Sequence, residues 1–139
     1  MHLISNDSHH ATVSLTWPES ALVGNTLNEF INGLRIDDDE LESRLGCGRP
    51  ALRPIQQHLA LSHRSVWPDN EGDHSDGVSE VRVQLTRAQL ATMIRALKDL
   101  ATGKDIEAWE FPIRLGQQPK AALTLATELD DVVGSLPAQ

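Results

Sequence analysis

"TLNEFINGLRIDDDELESRLGCG", residues 26–48, has a counterpart in "ALKDLATGKDIEAWEFPIRLGQQ", residues 96–118. Each stretch ends an apolar-striped run, stops at a glycine, crosses a short polar link and arrives at Arg-Leu-Gly. Sliding the chain by 70 residues without a gap superposes Val13, Leu15 and Thr16 on Val83, Leu85 and Thr86. Arg44, Leu45 and Gly46 then fall on Arg114, Leu115 and Gly116, and 13 of the 47 positions from 13 to 59 are identical. Unrelated segments of ordinary composition match at roughly one position in sixteen, so the pattern reads as an internal duplication.

Outward from this stretch, each half repeats one grammar. "ATVSLT" and "VSEVRVQLT" alternate apolar and polar residues, as a half-buried strand does. Each strand runs into a capping box, Thr16-Trp-Pro-Glu19 and Thr86-Arg-Ala-Gln89. There the hydroxyl accepts from a helix amide and the third residue reaches back to the cap. The helices that follow carry stripes of Val23, Leu27, Phe30 and Leu34, and of Leu90, Met93, Ile94, Leu97 and Leu100. They are expected to end near residues 32 and 102, with Gly33 and Gly103 as left-handed stops. Gly24, opposite Ile94, suggests a close approach of the two long helices. Pro112 predicts a turn or extended piece where the first half has "DDDELESRLG". Final helices start near Pro50 or Pro54 and near Pro119, the first using Leu52, Ile55 and Leu59.

The expected fold is therefore α+β: duplicated strand–helix–turn–helix units forming one pseudo-twofold domain over residues 1–139 with a small antiparallel sheet. Repeat 1 spans 11–62, a linker 63–77, and repeat 2 spans 78–134. "HRSV", 63–66, is a candidate edge strand. A unit of about 50 residues is hard to stabilise alone, which favours two units burying their apolar faces against each other.

Twenty acids against twelve bases leave a formal charge of −8. Phosphate binding needs clustered Lys and Arg, and here they are scattered singly, so nucleic acid is not the expected partner. No apolar run approaches the ~18 residues of a membrane span. The first residues lack the basic and apolar regions of a signal peptide. With Cys47 as the single cysteine, no intrachain disulfide forms, in keeping with a reducing cytoplasm.

The residues that invite chemistry do not assemble into a motif. His58 and His63 are five apart, off the spacing of a helical zinc pair. His74 lies in "DNEGDHSDG", which lacks the ordered ligand spacing of a calcium loop. Cys47 sits between glycines, but Gln117 replaces it in the second half. There is no phosphate loop, dinucleotide fingerprint or G-x-S-x-G. No catalytic residue, metal or cofactor is expected. The shared Glu40/Arg44 and Glu110/Arg114 sets belong to the common architecture, as helical pairs or carbonyl caps.

Recognition is expected where the halves differ. Asp37, Asp38, Asp39, Glu40 and Glu42 concentrate charge at one turn; Asp69, Glu71, Asp73 and Asp76 acidify the linker. Trp67 and Trp109 lie beside acids, as aromatic anchors for a basic partner would.

"LNEFINGLRIDDDELESRLG" also resembles a pattern in small bacterial proteins, some of them immunity proteins of polymorphic toxin or contact-dependent inhibition systems. Leu27, Asn28, Glu29, Asn32, Gly33, Glu40, Arg44, Leu45 and Gly46 carry it; the second half departs at Lys98 and Thr102. The resemblance implies a cytoplasmic inhibitor that binds a toxin, and the acidic charge points to a basic toxin domain. The rival expectations are an adaptor or oligomerising subunit, and a small enzyme using Cys47 or the histidines.

Overall fold

The computed structural model describes residues 1–7, 9–67 and 80–136. The chain runs β1 (His2–Asn6), β2 (His10–Thr16), α1 (Trp17–Asn28), a π-helical turn (Glu29–Gly33), α2 (Asp38–Leu45) and α3 (Arg49–Val66). It continues through β3 (Glu80–Thr86), α4 (Arg87–Thr102), α5 (Phe111–Leu115) and α6 (Pro119–Ser135). This is an α+β fold with a three-stranded antiparallel sheet in the order β1-β2-β3. Alternation decides the sheet: Ala11, Val13, Leu15, Val81, Val83 and Leu85 are buried in the core, while Arg82 and Gln84 point to solvent.

The two halves share their boundaries as well as their letters. β2 and β3, and the starts of α1 and α4, lie 70 residues apart. Both capping boxes form: Thr16 and Thr86 accept from the amides of Glu19 and Gln89, whose side chains return to the cap amides. The β2–β3 register pairs Val13 with Val83 and Thr16 with Glu80. Such a register is unchanged by a twofold axis through the Val13–Val83 pair. The small helices cross over: α2 packs on α4, and α5 packs on α1.

Four local expectations are corrected. "HRSV" ends α3, whose helical bonds run on to Trp67, so it supplies no strand. The third strand is β1, exposed along its length and therefore silent in the apolar pattern. Gly33 and Gly103 are not left-handed. That conformation falls on Gly46 and Gly116, both at φ 79°, which close α2 and α5 and where glycine escapes the Cβ clash. Gly103 instead leaves room for a neighbouring carbonyl: a Cβ there would lie 2.7 Å from the Asp99 oxygen. Pro112 sits in the first turn of a one-turn helix, where its missing amide costs no helical bond. Gly24 faces open space, with nothing within 4 Å of a Cβ placed on it, so it marks no helix contact.

Candidate binding face

The acidic run begins as helix chemistry. Asp37 is the N-cap of α2 and accepts from the Glu40 amide at 2.7 Å. Asp38 pairs with Arg49 at 2.5 Å, and Glu40 lies 3.6 Å from Arg44. Carboxylates in a first turn also meet the positive end of the helix dipole. Among the described residues Asp39 and Glu42 have no ion-pair partner, and both are exposed. Thus three of the five acids are engaged by the fold and two are presented outward.

Arg44 and Arg114 make their strongest contacts across the halves. Arg44 donates to Asp99, with Nε 3.1 Å from Oδ1, and to Asp105 at 2.5 Å. Arg114 donates from Nε to Glu29 Oε1 at 3.2 Å, and a second nitrogen meets Oε2. Positions 29 and 99 are themselves 70 apart, so each half lends its arginine to the other half's acid. The hydrogen bonds to Asp99 and then Asp105 hold the Arg44 pKa well above its ordinary value; the bond to Glu29 raises that of Arg114. The helical pairs with Glu40 and Glu110 exist, both at 3.6 Å, as looser contacts. No local spacing points to Glu29, Asp99 and Asp105 as these partners. An acid at both 29 and 99 is the available signal, hidden because Glu and Asp do not count as identical.

Trp109 is 68% exposed and Ile113 74% exposed, four residues apart across the start of α5. Phe111 and Leu115 take the buried side of the same turn. Trp109 Nε1 donates to Glu107 at 3.2 Å; of the neighbouring acids, Asp105 is held by Arg44 and Glu110 lies 3.6 Å from Arg114. The equivalent positions on α2 are Asp39 and Ser43. Trp67 behaves differently from the expected anchor: it is 5% exposed and packs its ring 4.8 Å from that of His63, so it belongs to the core. Asp69, Glu71, Asp73 and Asp76 lie outside the described residues.

A second feature lies beside the contact between α1 and α3. A groove of about 450 Å³ runs between them, with Gly24 open to it. His63 Nδ1 lies 2.8 Å from Ser20 Oγ, and its ring is tilted against that of Trp17 with centroids 5.9 Å apart. Of the other titratable candidates, Cys47 is half-buried with Sγ 4.0 Å from the Thr92 hydroxyl, and His58 meets the Gln84 carbonyl at 3.1 Å. Among the described residues no three His, Cys, Asp or Glu side chains lie together as metal ligands. No helix there is long and apolar enough to cross a membrane.

No family model, curated protein or solved structure matches this chain.

Proposed function

We propose that this chain is a non-enzymatic binding protein in which the exposed start of α5 recognises a basic protein surface, and that its two halves descend from one duplicated block. The observation that carries the first part is Trp109 with Ile113: two large apolar side chains presented to solvent, with Trp109 bonded to the Glu107 carboxylate. An exposed aromatic anchor beside a carboxylate supplies burial energy at its centre and steering at its rim. Asp39 and Glu42, without an ion-pair partner on α2 among the described residues, add to the chain's negative charge. The immunity-type resemblance supplies the class of partner, a bacterial toxin neutralised in the cytoplasm, and the chain's net charge of −8 supplies the expectation of a basic surface on it.

The test is capture from the lysate of the source cell with three baits. The wild-type bait should retain a basic protein. Trp109→Ala should weaken that complex by about 30-fold, mainly in dissociation. Asp39→Lys with Glu42→Lys should slow association by about tenfold, with a reduced salt dependence. A partner held equally by all three baits would move the interface elsewhere. Light scattering separates the adaptor reading: a homodimer that Trp109→Ala converts to monomer would make this face a self-association surface.

A further inference from the structure

We propose that the groove between α1 and α3 is a binding site for a small amphipathic organic anion with a planar apolar body. This inference is independent of the Trp109 face. The helix pair α4–α6 shows what the same architecture does without a site. Its Leu90 and Ala126 are buried, and Ile94 is 6% exposed. The residues 70 positions earlier are Ser20, Gln56 and Gly24, and His63 stands where the second half has Val133. Four positions that close one helix pair are polar or small in the other, and all four line the groove.

Volume and charge then define the occupant. A groove of about 450 Å³ falls within the usual range for small-ligand sites. Among the described residues no carboxylate lines it. Arg64 does line it. Among the described residues its guanidinium makes one contact, a long bond from Nε to the Ala60 carbonyl at 3.5 Å. That leaves the terminal nitrogens able to take an anionic head. Gly24 removes the side chain that would fill the middle, so a flat apolar body can reach the α1 backbone beside the Trp17 ring. Packing does not require this glycine, nor does a left-handed backbone.

Anilinonaphthalene sulfonate and its uncharged analogue phenylnaphthylamine are suitable probes, read by fluorescence titration of the full chain. The wild-type protein should bind the sulfonate at one saturable site. Arg64→Gln, an exposed change that leaves the fold intact, should weaken the sulfonate about tenfold and leave the neutral dye unchanged. Gly24→Ile should abolish saturable binding of both dyes while keeping the wild-type circular dichroism. Trp109→Ala should bind as wild type does. The proposal is overturned if Arg64→Gln affects neither dye or both equally, if folded Gly24→Ile still binds, or if Trp109→Ala removes the site. If Gly24→Ile does not fold, the Arg64 comparison decides alone.

Discussion

The α4–α6 helix pair is sealed by leucine, isoleucine and alanine, whereas α1 and α3, built on the same frame, pack less extensively and leave a groove whose lining includes serine, glycine, glutamine and histidine. Both pairs begin at capped strands and follow left-handed glycines at the same 70-residue spacing. The frame is therefore set by caps, strand register and crossing ion pairs, which both halves keep. The surface between the long helices is free to vary, because only one closed pair is needed to complete the core.

The largest expected effect tests that asymmetry. Leu90→Ser copies the first half's residue into the sealed pair, where it creates a cavity and buries a hydroxyl among apolar neighbours. It should cost about 3–4 kcal/mol in urea unfolding. Ser20→Ala, at the equivalent position, loses only the hydrogen bond to His63 and should cost about 1 kcal/mol. Equal costs would mean that the two helix pairs carry the same share of the core.

The crossing ion pairs give the next effect. The Glu29 side chain is only 10% exposed, so Arg114→Met strands a nearly buried carboxylate and should cost about 2–3 kcal/mol. Arg44→Met strands Asp99 and Asp105 together, but these are 25% and 29% exposed, and solvent screening reduces the cost to about 1–2 kcal/mol. The two variants should also differ in salt. Raising ionic strength screens the repulsion between Asp99 and Asp105 and should recover part of the Arg44→Met loss. It should recover less for Arg114→Met, whose penalty is desolvation. A salt response of equal size in both would break this distinction.

Much of the frame is legible in the sequence because it is local. Capping boxes, strand alternation and the apolar stripes of α3, α4 and α6 are properties of neighbouring residues, and the 70-residue offset shows each signal twice. What escapes is non-local or uniform. β1 is exposed throughout and held by main-chain bonds to β2, so its side chains announce nothing. The bonds from Arg44 to Asp99 and from Arg114 to Glu29 join residues 55 and 85 apart, beyond any helical spacing rule. Gly33 and Gly103 look like stops because glycine usually is one after an apolar stripe. Their work is to clear space beside residues 29 and 99. The acidic run misleads for the opposite reason: capping and pairing absorb Asp37, Asp38 and Glu40, and the face that remains owes more to Trp109 and Ile113.

The smallest effect is the most pointed, because it carries opposite signs at two glycines of the first half. Gly24 lies inside α1 with no side chain and no atom of another element within 4 Å of where a methyl carbon would stand, and its φ is not positive. Gly24→Ala should therefore gain helix propensity and lose unfolded-state freedom, stabilising by about 0.5–1 kcal/mol. Gly33 has the Glu29 carboxylate, with Arg114 behind it at 3.2 Å, where a Cβ would stand. Gly33→Ala must displace that crossing pair and should destabilise by about 1–2 kcal/mol. If Gly24→Ala raises the melting temperature yet weakens binding of the sulfonate dye, the groove is kept open at the expense of stability, as sites commonly are. If it lowers the melting temperature, α1 and α3 pack against each other at Gly24 in solution, and the contrast between the two helix pairs narrows accordingly.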